Sequence, residues 1–140
     1  MVRSSARGLY VGVLGRALMP KCILVVDDNT AMRHMLRMAF EEHSGWEVGE
    51  AVNGREAIEK AHVLRPDLIV LDLSMPMMNG LQAAPVLRRM LPAVPIILFM
   101  LYDNKTLERE ALSVGINAVV SKTASMSTLV TQAEGLLSAA

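Results

Sequence analysis

Two adjacent acids, Asp27 and Asp28, follow the apolar run CILVV at residues 22–26. A third, Asp72, lies near the end of DLIVLDL at 67–73, and Lys122 follows VVS at 119–121. Neighbouring carboxylates repel each other and lose hydration where a strand ends against a fold. In an open α/β sheet, ligands bind beyond the carboxyl ends of the strands, where strand order reverses. If the first and third runs are neighbouring strands, three carboxylates gather in one shallow pocket, which is costly without a cation. Oxygen-only ligands favour a hard ion, and a few carboxylates with waters suit Mg²⁺. A lysine at the same edge neutralises a second anion, most simply a phosphoryl group. A carboxylate such as Asp72 can then attack phosphorus and form an acyl phosphate, with charge on the transferring oxygens stabilised by the metal and Lys122. One acid alone would be read as a solvated loop residue or a helix cap. Acids after two runs and a lysine after a third make that reading a poor one.

The elements that must hold these residues alternate along the chain. Apolar runs at 22–26, 46–52, 67–73, 94–101 and 117–121 predict strands, and helical periodicity marks 30–42, 54–64, 80–91, 104–114 and 125–138. DLIVL and PIILF are apolar without alternation, as expected of strands covered on both faces. The order implies a parallel sheet with right-handed crossovers. On the first helix, Met32, Met35, Leu36, Ala39 and Phe40 share a face and are expected to be core. Asn29 or Thr30 can cap that helix, and Asn53-Gly54 and Asn79-Gly80 signal turns before the next two. Pro85 falls beyond the first turn of the third helix, where it removes a hydrogen bond.

The 140 residues suit one domain, with 14 basic and 14 acidic side chains. Zero formal charge gives no basis for bulk binding to nucleic acid or an anionic membrane. The single cysteine, Cys22, permits no internal disulfide and fits a reducing compartment. No stretch is long and apolar enough for a transmembrane helix. Residues 1–18 stand apart, with three arginines and no acid. They are expected to be a disordered extension or translation assigned too far upstream, Met19 being a sensible start, with a domain over 19–140. His34, His43 and His62 lack the spacing of a helical metal site and are read as surface or half-buried residues. Arg88-Arg89 is read as a solvated helix face rather than a nucleic-acid patch.

In LVVDDN (24–29), PDLIVLDLSMPMMNG (66–80), VPIILFM (94–100) and GINAVVSK (115–122), the chain closely resembles the receiver domain of two-component response regulators. The resemblance runs from about Lys21 to Leu137 and implies a flavodoxin-like doubly wound α/β fold, five parallel strands in order 2-1-3-4-5 with five helices. It implies that Asp72 is the phosphoacceptor. Asp28 and Asp72 would ligate Mg²⁺ directly, Asp27 mainly through water, and Ser74 through its backbone carbonyl. Lys122 would contact the phosphoryl group, supplied by a sensor histidine kinase or a phosphotransfer protein. Ser74 and Tyr102 would flank the pocket. The expected protein is a cytoplasmic, stand-alone module without its own catalytic or DNA-binding output. It would signal through an unidentified protein partner, with a homodimer equally open. Asn104, Lys105, Glu108 and Arg109 would line the contact surface.

Two positions depart from the family pattern. Met100 stands where Thr or Ser usually ends the fourth strand, and Val119 where an aromatic often precedes the lysine by three residues. Met lacks a hydroxyl donor, so the usual coupling between phosphorylation and conformation is altered or absent. Either the two residues pack as a compensated pair, or Met100 is an isolated substitution. A second reading is therefore a phosphorylation-independent interaction module. A third is an aspartate-nucleophile phosphatase of the haloacid dehalogenase type. That class needs a general acid two residues after the nucleophile, where this chain has Ser74.

Overall fold

The computed structural model describes residues 20–101 and 104–139. The strands are β1 (Lys21–Val26), β2 (Trp46–Ala51), β3 (Leu68–Asp72), β4 (Ile96–Met100) and β5 (Ala118–Ser121). The helices are α1 (Thr30–Glu41), α2 (Gly54–Leu64), α3 (Gly80–Met90), α4 (Lys105–Ser113) and α5 (Met126–Ser138). All strands pair in parallel, in the order β2-β1-β3-β4-β5. Chain order reverses between β1 and β3, and there the loops after the two strands leave a crevice.

β1, β3 and β4 are buried along almost their whole length, the outer end of β1 excepted. Their alternate residues feed two cores. Leu24, Val26, Ile69, Leu71, Leu98 and Met100 belong to one, with α2 and α3 residues such as Ala57, Ala61, Ala83 and Leu87. Ile23, Val25, Val70, Ile97 and Phe99 belong to the other, with Leu36 and Phe40 of α1 and Leu129 and Ala133 of α5. Unbroken apolar runs are thus the signature of strands with helices on both sides.

Polar residues set the helix starts. Asn29, Asn53, Asn79, Asn104 and Ser125 each accept a hydrogen bond from the backbone of the following first turn. At Asn79 the bond is reciprocal, because Gln82 accepts from the Asn79 amide. Pro85 lies inside α3, which runs through it as one element.

Two sequence expectations need correction. The methionine stripe of α1 is only partly core. Leu36 and Phe40 are buried against the sheet and α5, but Met35 is 49% exposed, so the buried face is narrower than the apolar stripe. Arg88 is not a solvated residue either. Its guanidinium folds back and donates to the carbonyls of Leu91, Pro92, Val94 and Gly115 and to Asn117 Oδ1. It ties the end of α3 to the turn entering β5, while Arg89 remains exposed. Burial lowers the pKa of Arg88 from its ordinary value. Arg88→Ala strands these carbonyls and should lower stability by about 2 kcal/mol in urea unfolding. Arg88→Lys should recover little, since an ammonium cannot span them in one plane.

Candidate functional site

β1 delivers Asp27 to the crevice. The Asp27 amide donates to the Ala51 carbonyl at 3.1 Å, extending the β1–β2 ladder one residue past Val26. The carboxylate is fixed by its neighbours: Oδ1 accepts from the Asn29 amide at 2.9 Å, and Oδ2 accepts from Lys122 Nζ at 2.9 Å. Arg33 on the first turn of α1 donates to the Asp27 carbonyl at 2.8 Å. Asp27 is thus 1% exposed, whereas Asp28, the next residue, is exposed.

Asp72 is the last residue of β3, paired across the ladder with Phe99, and is 5% exposed. Lys122 comes from the next register position beyond β5, where its amide donates to the Met100 carbonyl at 2.6 Å. Its ammonium lies 2.9 Å from Asp72 Oδ1 as well as from Asp27 Oδ2. It also stands 5.8 Å from the centre of the Phe99 ring, within cation–π range. Neither Arg33 nor Phe99 was legible as a site residue. Arg33 acts through the backbone, and Phe99 reads as another apolar residue in a buried strand.

One carboxylate oxygen from each of Asp27, Asp28 and Asp72 lies within 4.8 Å of the others. Burial pushes the Asp72 carboxyl above its ordinary pKa; the hydrogen bond from Lys122 pulls it back, and the charges of Asp27 and Asp28 push it up again. Burial opposes the charge on Lys122, but the hydrogen bonds and charges of Asp27 and Asp72 together outweigh burial and hold its pKa above the ordinary value. One cation facing three acids leaves an excess of negative charge. With only oxygen donors offered, this set fits a hard divalent cation rather than a soft one.

The remaining expected residues fall as follows. Ser74 is exposed and lines a groove of about 620 Å³ beside Asp28, with Met75, Pro76 and Asn79. Met100 is 1% exposed and belongs to the core that also holds Leu98; Val119 is half-buried against that core. Both are apolar packing residues. Lys105, Glu108 and Arg109 line a separate groove of about 470 Å³ with Ala118 and Val119, and Asn104 caps the adjoining helix. Tyr102 and residues 1–18 lie outside the described residues. The histidines are surface or half-buried residues: His34 and His62 are exposed, and half-buried His43 stacks on Trp46 at 3.8 Å between ring centres.

Residues 23–134 match the family model described as the response regulator receiver domain. The chain belongs to that family. It is 38% identical over 105 residues to the chemotaxis protein CheY of Thermotoga maritima, covering 74% of this chain and 87% of the relative. It is 41% identical over 102 residues to a protein-glutamate methylesterase/protein-glutamine glutaminase of Alkalilimnicola ehrlichii, covering 71% of this chain but 26% of the enzyme. The chain therefore spans about a quarter of that enzyme's length. Among solved structures, chemotaxis protein CheY4 of Vibrio cholerae superposes with a TM-score of 0.79 at 28% identity, covering 84% of this chain and 98% of that one. This receiver has the flavodoxin-like order β2-β1-β3-β4-β5 with five helices, and its domain type is that of two-component signalling. No helix among the described residues is long and apolar enough to cross a membrane.

Proposed function

We propose that this receiver accepts a phosphoryl group on Asp72 in a Mg²⁺-dependent reaction and passes its state on through protein contacts. The observation that carries the reading is the convergence of three carboxylates within 4.8 Å, two of them on one lysine. Asp27, Asp28 and Asp72 would hold the ion, with the backbone carbonyl of Ser74. When bound, the ion supplies neutralisation of charge on the transferring oxygens.

The side chains divide the remaining work. Unprotonated Asp72 attacks the phosphorus of a phosphohistidine on a sensor histidine kinase or a phosphotransfer protein. An O–P bond forms, the P–N bond breaks, and its electron pair returns to the imidazole. Asp27 and Lys122 hold the nucleophile in place before the attack, and Lys122 then contacts the phosphoryl oxygens. Burial of Asp72 limits access of water to the acyl phosphate. The domain would thus promote only its own phosphorylation and dephosphorylation, in the cytoplasm, without touching nucleic acid directly. Its contact surface would be the groove lined by Lys105, Glu108 and Arg109, open to another protein or to a second copy of itself.

The test is intact mass after incubation with acetyl phosphate. One phosphoryl adduct is expected with Mg²⁺ and none with a chelator. Absence of the adduct with both acetyl phosphate and a phosphorylated histidine donor would sink the reading. That outcome would favour a second one, an interaction module without a switch, for which the burial of Met100 is the specific support.

Met100 also bears on how the state is transmitted. No hydroxyl at that position can bond the phosphoryl group and draw its loop inward. Met100→Thr should keep the adduct and gain phosphorylation-dependent amide shifts across α4, read by NMR. The same variant should be destabilised by about 1–2 kcal/mol, since a buried thioether chain is replaced by a shorter polar one. Identical shifts in the two proteins would show that position 100 does not limit switching.

A further inference from the structure

We propose that the groove along the outer edge of β2 is the docking site of the chain's own residues 1–18. β2 pairs only with β1, so its other edge has no strand neighbour among the described residues. Such an edge invites pairing unless it is covered or charged. Here α1 and α2 wall it into a groove of about 760 Å³. Its floor is apolar: Val48 and Leu64 line it, with Val63, which is 62% exposed.

Its rim is acidic. Five glutamates against Arg37 and Lys60 give the lining a formal charge of −3. Both bases are already engaged. Arg37 pairs with Glu41 and Glu50, and Lys60 donates to the Glu50 carbonyl at 2.8 Å. The matching segment lies in the same chain. Residues 1–18 carry Arg3, Arg7 and Arg16, no acid, and the apolar stretch LYVGVL at 9–14. Charge and apolar content are both complementary to the groove.

Reach is sufficient. Lys21 pairs with Trp46, so the chain enters β1 one strand spacing, about 4.8 Å, from the base of β2. Eighteen residues can span up to about 60 Å, and the β2 edge is only about 20 Å long. A tether this short gives an effective concentration of order millimolar, so weak contacts suffice. This surface is on the β2 edge, away from both the acid cluster and the α4–β5 groove. The proposal does not depend on phosphorylation of Asp72.

The test is hydrogen exchange on the full chain, wild type against the triple variant Arg3→Glu, Arg7→Glu, Arg16→Glu. All three changes lie outside the described residues, and a thermal melt checks that the fold survives. Residues 47–50 and 59–64 should exchange about fivefold faster in the variant, with the rest of the domain unchanged. Adding Glu47→Arg and Glu59→Arg to the triple variant should restore protection, because the charges are then exchanged rather than lost. Unchanged exchange along the groove overturns the proposal. So does a change centred on Asp28, which would place the arginines at the acid cluster. Protection that grows with protein concentration would assign the groove to a second copy and equally overturn it.

Discussion

Asp72→Asn should show no mass shift after incubation with acetyl phosphate and Mg²⁺, under conditions where the wild-type chain gains one phosphoryl group. The amide keeps the size of the side chain but is a poor nucleophile towards phosphorus. Adduct formation should therefore fall to background rather than slow by a modest factor. The same substitution should raise the thermal midpoint at pH 7 in metal-free buffer. Burial, aided by the charges of Asp27 and Asp28, lifts the folded pKa of Asp72 above its value in an unfolded chain, about 3.9. The folded state then binds the proton more tightly than the unfolded state. Stability is complete below the unfolded pKa and is lost as pH rises through the folded one. At neutral pH the ionised residue is a standing penalty, which asparagine removes. The gain should vanish below about pH 4, where the carboxyl is protonated in both states. Mg²⁺ should stabilise the wild type more than the variant, because one of its ligands has lost its charge. A variant less stable than wild type in metal-free buffer at pH 7 would show that the Lys122 ion pair outweighs burial and repulsion.

Gly80→Ala should lower stability by about 3 kcal/mol and disturb phosphorylation as well. Gly80 opens α3 directly against the strand that ends in Asp72. Its amide donates to the Leu73 carbonyl at 3.0 Å. A Cβ there would overlap the Asp72 carbonyl oxygen and meet Leu98 Cδ1 at 3.1 Å. Backbone cannot rotate away as a flexible side chain does, so either the helix start or the end of β3 must shift. Shifting β3 moves Asp72 away from Lys122. Urea unfolding should give the stability loss, and acetyl phosphate should give slower adduct formation in the fraction still folded. Gly135→Ala is the matched control. A Cβ at Gly135 meets nothing within 4 Å, and the residue lies inside α5. That change should stabilise by about 1 kcal/mol through helix propensity and leave the adduct unchanged. Equal effects at the two glycines would mean that crowding at Gly80 is relieved without cost.

Much of this protein is local, and what is local can be read from the chain. Unbroken apolar runs marked β1, β3 and β4, because a strand covered on both faces has no polar side to show. Asparagine before each of the first three helices marked their starts, because its side chain satisfies amides that a helix leaves open. Asp27, Asp28, Asp72 and Lys122 stood out because charge at the end of an apolar run is expensive unless it has a task.

Distance in space is not local, and there the tertiary structure decided. Asp27 and Lys122 are 95 residues apart, and only the adjacency of β1, β3, β4 and β5 brings the ammonium to 2.9 Å from two carboxylates. The sequence put Met35 in the core and Arg88 in solvent. Periodicity names a helix face, but the neighbouring helix determines how much of it is covered, which left Met35 half exposed. Arg88 bends back because the loop after α3 and the turn before β5 both present carbonyls to it. No pattern within α3 could announce the whole set, since two of the partners, Gly115 and Asn117, arrive from far along the chain.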